Sequence, residues 1–180
     1  RTFDIVGTYK FRDVNVLAHM NTLTYNPDTN LLYTTNAMID GHRITTIDAD
    51  TMSIDNTITI PERVFNLAYD KKTNQFMSIV PIDATMRRIN YYTSQFQLVQ
   101  SKDIDANYDD YNNNGAFAND GKTIFATLST VITVDKTGNV TKIASFPKNL
   151  DIEDMDMRHN IMYAAVNMNH KVLIYTMLNY

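Results

Sequence analysis

Asp103, Asp105 and Asn107 have the alternate spacing that opens a calcium-binding helix–loop–helix loop. That loop needs glycine at its sixth position and a bidentate glutamate at its twelfth, and the chain has Tyr108 and Asn114 there. An EF-hand is therefore excluded, and only a looser calcium site between Asp103 and Asp110 stays open. The string Gly115–Thr123, GAFANDGKT, has the flavour of a phosphate-binding loop. Its spacing is one residue too long, and it joins two strand-like runs where that motif needs a strand followed by a helix. A hairpin turn is the better reading. The histidines His19, His42, His159 and His170 form no helical metal pair, and no Gly-x-Ser-x-Gly nucleophile elbow is present. With no cysteine there are no disulfides, thiolate nucleophiles or Cys-type zinc sites.

One set of polar residues recurs: His19 and Asn21, then Arg63 and Phe65, then Tyr111 and Asn113, then Asp151 and Glu153. They stand at matching points of four similar segments. These are NTLTYNPDTNLLYTT from Asn21, FNLAYDKKTNQFMSI from Phe65, GAFANDGKTIFAT from Gly115 and EDMDMRHNIMYAA from Glu153. Anchored on Tyr25, Tyr69, Phe117 and Met157, the spacings are 44, 48 and 40 residues. That is the length of a four-stranded propeller blade.

The remaining runs complete each unit. They are Arg43–Thr51 and Ser53–Ile60, then Arg87–Ser94 and Phe96–Ser101, then Val131–Gly138 and Val140–Phe146. They are rich in Ile, Val, Thr, Tyr and Phe and alternate at period two, which is strand behaviour. Residues 26–30, 70–74, 119–122 and 136–139 carry Asn, Asp and Gly, which tolerate positive φ and close hairpin turns. No window carries a helical period. The expectation is an all-β propeller spanning residues 1–180, with four blade repeats and almost no helix.

The fourth repeat offers three strands and stops at Val172–Tyr180, while Phe3–Phe11 reads as an outermost strand without its own blade. Either that strand completes the last blade and closes the ring, or flanking blades have been cut away. Arg1 in place of a methionine points to a piece excised from a longer polypeptide.

In a propeller the innermost strands line a central channel, so the recurrent polar residues converge on one mouth. Convergent polar groups beside aromatics suit a sugar or another polar ligand, although such groups also simply hydrate a channel. Tyr91, Tyr92, Tyr108 and Tyr111 are candidate stacking surfaces, with packing the favoured role for most tyrosines. A balance of 16 basic against 20 acidic residues, with no basic stripe, argues against nucleic acid. No apolar run approaches the roughly 20 residues that span a bilayer.

Ala18-His19-Met20-Asn21-Thr22-Leu23-Thr24-Tyr25-Asn26-Pro27, followed by Asn30-Leu31-Leu32-Tyr33, resembles a pattern of extracellular propellers from Gram-positive bacteria and their phages. So does Asp151–Met157 followed by Met162-Tyr163-Ala164. The resemblance is to helveticin-type bacteriocin propellers and to the propeller platform of phage receptor-binding tail fibres. His19, Asn21 and Glu153 are its distinctive residues. It implies an extracellular or virion-borne module, often homotrimeric, that docks to cell-wall glycopolymer; the residues themselves call for no cofactor, with Ca2+ left open. The chain is shorter than those propellers.

Three functions follow. The first is non-enzymatic recognition of a cell-surface carbohydrate or glycopolymer, with His19, Asn21, Arg63, Asn113, Asp151 and Glu153 supplying hydrogen bonds and charge and Tyr111 stacking. The second is a lactonase-like, metal-dependent hydrolase using Asn21, Asn113, Asp151 and Glu153 as hard oxygen ligands. The third is a structural platform for protein docking.

Overall fold

A computed structural model describes residues 7–11, 20–36, 41–105, 113–119, 122–127, 130–135, 137–145, 147, 151–158, 161–168 and 171–178. Among them there is no helix, and the strands form four antiparallel sheets in chain order. Sheet 1 holds β1 (Thr24–Asn26), β2 (Leu31–Thr35), β3 (Arg43–Asp48) and β4 (Ile54–Thr59). Sheet 2 holds β5 (Ala68–Asp70), β6 (Gln75–Pro81), β7 (Met86–Thr93) and β8 (Leu98–Asp105). Sheet 3 holds β9 (Asn113–Asn119), β10 (Lys122–Thr127), β11 (Thr130–Asp135) and β12 (Val140–Ser145). Sheet 4 holds β13 (Asp151–Arg158), β14 (Ile161–Met168) and β15 (Lys171–Leu178). Each sheet is a meander, and the first strands β1, β5, β9 and β13 adjoin one another in that order.

The repeats are alike down to single residues. In the first two sheets a Tyr hydroxyl donates to the Asn side-chain oxygen five residues on: Tyr25 to Asn30 at 2.9 Å and Tyr69 to Asn74 at 3.0 Å. The intervening Asx closes the turn on a backbone N–H two residues ahead, Asn26 on Asp28 and Asp70 on Lys72. Asn30 and Asn74 then sit at φ 56° and 54°, a left-handed conformation that asparagine accepts more readily than most residues. In three sheets the last strand has one extra residue in its ladder, Asp55, Val99 and Ile143, at a constant spacing of 44. Such bulges strengthen the local twist, and these three sheets carry it at the same point.

The core lies between sheets, not within one. Tyr33, Ile44 and Ile60 of the first repeat meet Phe76, Tyr92 and Phe96 of the second. Phe76 and Phe96 stack with centroids 4.5 Å apart. On the opposite face Met77, Ile79, Ile89 and Ile104 meet Ile132 and Val134 of the third. Period two explains the division, because Phe76 and Met77 are neighbours whose side chains leave opposite faces of β6.

Two expectations needed correction. The first runs of the first two repeats, beginning at Asn21 and Phe65, read as strands from their start, but the ladders begin only at Thr24 and Ala68. Side chains replace the missing ladder bonds: Asn66 Oδ1 accepts the Ile79 N–H at 2.9 Å. In the second, Gly7–Phe11, the described part of Phe3–Phe11, carries no strand. A Cβ on Gly7 would lie 3.2 Å from the Tyr9 ring, so that ring leans back over residue 7.

Candidate ligand-binding mouth

The leading ends of the innermost strands share one rim with the loops between second and third strands. Met20 bridges Asn36, and Asn21 N donates to Thr35 O at 3.2 Å. Thr35 in turn donates its hydroxyl to Phe65 O at 3.2 Å. The segment leading into β5 is pinned beside them, with Ile60 N on His42 O at 2.9 Å and Val64 N on Gly41 O at 2.7 Å. Buried Ile60 and Val64 anchor it, which leaves Arg63 exposed on the rim. Its guanidinium lies over the Phe65 ring, 5.0 Å from the centroid. At an exposed site such a contact contributes about 0.5–1 kcal/mol.

Asn21 is half-buried, and its side-chain oxygen finds no donor among the described residues. An unmet buried acceptor costs about 1–3 kcal/mol, which a ligand hydroxyl or a water recovers. Asn21 and the Arg63–Phe65 pair are thus joined through a single residue, Thr35. On the fourth sheet Glu153 is exposed, and it is the extra residue of a bulge in the β13–β14 ladder. Bulges re-aim a side chain. Beside it Asp154 Oδ2 accepts the Leu23 N–H at 3.0 Å and Oδ1 accepts the Met155 N–H at 2.9 Å. Burial pushes the Asp154 carboxyl up to about 7; the N–H groups of Met155 and Leu23 oppose that shift, and Asp156 adds to it.

Of the residues expected at the mouth, the structure places Asn21, Arg63 and Glu153 toward the leading ends of the innermost strands of the first, second and fourth sheets. Asn113 and Asp151 open β9 and β13 at the matching end of their strands. His19 and Tyr111 lie outside the described residues. Asp103 is held by Arg88 in a two-bond pair at 2.6 and 2.9 Å, and residues 106–112 of the suspected calcium loop lie outside the described residues. No group of three His, Asp or Glu residues suited to a metal occurs among the described residues. Tyr92 is fully buried and Tyr91 packs on the core between the second and third repeats, so both serve packing.

Sequence reasoning missed Asp154 by one register position. Shifting the chosen positions gives Thr22, Asn66, Asn114 and Asp154, an unbroken polar series at spacings of 44, 48 and 40. It also missed Arg87, a fully buried arginine whose Nη1 donates to Asp83 O at 2.8 Å and to Met86 O at 3.1 Å. It holds the β6–β7 loop on the same rim.

No known family profile and no curated protein matches the sequence. Among solved structures, hydrazine synthase of Kuenenia stuttgartiensis matches over 97% of this chain and 49% of its own, with TM-score 0.55 and 13% identity. A streptogramin B lyase structure matches over 87% of this chain and 54% of its own, with TM-score 0.55 and 12% identity. The WD40 repeats of RRP9 match over 87% and 50%, with TM-score 0.51 and 11% identity. The chain is a β-propeller. It spans about half the length of the three propeller-like structures it matches. At these identities the likeness concerns the fold. Two of the neighbours bear enzyme names and the third is a WD40 repeat domain, so the propeller does not choose an activity. Among the described residues no helix is long and apolar enough to cross a membrane.

Proposed function

We propose that this propeller is a recognition module whose channel mouth binds a hydroxyl-rich surface ligand, a cell-surface carbohydrate or cell-wall glycopolymer. The observation that carries the reading is the exposed Arg63 guanidinium set over Phe65, with the unmet Asn21 acceptor linked to Phe65 through Thr35. A sugar presents a C–H face to such a plane and hydroxyls to amide and carboxylate oxygens. Arg63 adds a stacking surface to the one expected of Tyr111, because Phe65 is itself covered. Glu153 supplies a second acceptor. The resemblance on His19, Asn21 and Glu153 adds a setting: an extracellular or virion-borne module of a Gram-positive bacterium or its phage, in a homotrimeric fibre.

The test is binding to purified glycans and cell-wall polymers, with and without EDTA, for the native chain and for Arg63→Ala and Glu153→Gln. Saturable binding that survives EDTA and weakens about tenfold in Arg63→Ala, a loss of about 1.4 kcal/mol, supports the reading. Binding abolished by EDTA moves the site to a metal held by oxygen donors, the hydrolase alternative. Wild-type affinity in both variants removes the mouth as the site.

A further inference from the structure

We propose that the β6–β7 loop is a preformed wall of the mouth and that its Ile82 selects a ligand sugar carrying an N-acetyl group. The inference deepens the carbohydrate reading and rests on it. The β5–β6 register, Ala68 on Met77, is continued by Asn66, whose Oδ1 accepts the Ile79 N–H at 2.9 Å. Beyond that bond the chain runs back to Arg63 on one side and on to Ile82 on the other. The Arg63 platform and the loop therefore stand at the same end of the second sheet. Ile82 is 46% exposed there.

An exposed isoleucine alone is ordinary, because much of any protein surface is apolar. What sets this one apart is how firmly its loop is held. Asp83 Oδ1 accepts the N–H groups of Thr85 at 2.7 Å and Met86 at 2.8 Å. Met86 O accepts the Ile82 N–H at 3.0 Å and closes the loop across its base. From the face turned to the third repeat, the fully buried Arg87 donates through Nη1 to Asp83 O at 2.8 Å and Met86 O at 3.1 Å. Arginine is rarely buried in full, since its charge leaves water at a cost. Here that charge lies under two loop carbonyls. A loop fixed in this way loses little conformational freedom when a ligand settles on it.

The groups at this end ask for one substituent chemistry. Hydroxyls and a ring C–H face meet Asn21 and the Arg63 guanidinium, but they leave Ile82 with nothing apolar to cover it. An acetamido arm supplies a methyl for Ile82. Its N–H also needs an acceptor. Glu62, beside Arg63 and half-buried, has a carboxylate oxygen without a donor among the described residues. A free amine offers the N–H without the methyl, and a hydroxyl offers neither.

The experiment is isothermal titration calorimetry of the whole chain with three β-1,4-linked trisaccharides that differ only at carbon 2. Chitotriose carries acetamido groups, its deacetylated form amines, and cellotriose hydroxyls. Chitotriose is expected to bind about fourfold or more tightly than the other two, the worth of one methyl-sized group taken out of water. Ile82→Ala is expected to abolish that preference; Ile82 is exposed and outside the ladders, so the variant folds as the native chain does. Arg63→Ala is expected to weaken all three sugars together. Equal binding of chitotriose and either of the others, or a preference that survives Ile82→Ala, overturns the N-acetyl inference and leaves the mouth reading in place. No binding of any trisaccharide, or native affinities in Arg63→Ala, overturns the mouth reading and this inference with it.

Discussion

Replacing Phe76 by alanine strikes the joint between the first two blades. The ring is fully buried, with centroids of Tyr33, Tyr69 and Phe96 at 4.7, 5.0 and 4.5 Å. Deleting a buried phenylalanine costs about 3–5 kcal/mol when the surroundings cannot collapse. Here they cannot collapse easily, because the gap is bounded by rings from two different sheets. Phe96 adds to the cost. It is held at φ 59°, which burdens a bulky residue by about 1–2 kcal/mol, and its stacking on Phe76 helps offset that strain. Phe76→Leu keeps most of the apolar volume and loses the ring pairing, so about 1–2 kcal/mol is expected. Urea unfolding followed by far-UV circular dichroism and tyrosine fluorescence reads both values. A loss below about 1 kcal/mol for Phe76→Ala would mean that the blades do not depend on this aromatic contact.

Asn66→Ala strips the acceptor from the buried Ile79 N–H and is expected to cost about 1–3 kcal/mol by urea unfolding, with no loss if the amide finds another partner. Gly138 sits at φ 84° with the Lys102 side chain against it, so Gly138→Ala should cost about 1–2 kcal/mol in the same assay. Stability should peak in mild acid. Asp154, raised from 3.8 to about 7, destabilises progressively as pH climbs through that interval. Asp48, Asp83, Asp103 and Asp135 are held below the ordinary value, the first, second and last by N–H and hydroxyl donors of their turns and Asp103 by Arg88, so their support is lost as pH falls beneath it. Thermal unfolding from pH 3 to 8 checks this, and a maximum at or above neutrality would contradict the Asp154 assignment.

The blade organisation was legible because it is written locally. Tyr-Asn-Pro-Asp-Thr-Asn and Tyr-Asp-Lys-Lys-Thr-Asn close their turns with their own side chains, and period-two runs such as Gln75–Pro81 declare both packed faces. Less could be read where side chains stand in for backbone. Nothing in Val64–Tyr69 reveals that Asn66 takes over the Ile79 amide, so β5 looked longer than it is. The polar positions of the mouth were legible as positions: Asn21, Arg63 and Glu153 stand toward the leading ends of the innermost strands of the first, second and fourth sheets. Their register was not, because the bulge at Glu153 moves the next residue into the wall. Asp154 reaches Leu23 across 131 residues, a partnership that no local pattern encodes.

The most direct test of the account is an amide NMR map of the chain titrated with a cell-wall glycopolymer fragment. The account predicts saturable shifts confined to Asn21, Thr35, Arg63, Phe65, Ile82 and Glu153, with the turns at Asn26–Asn30 and Asp70–Asn74 on the opposite rim unmoved. Shifts centred on those turns, or none at the channel mouth under saturating ligand, would contradict it.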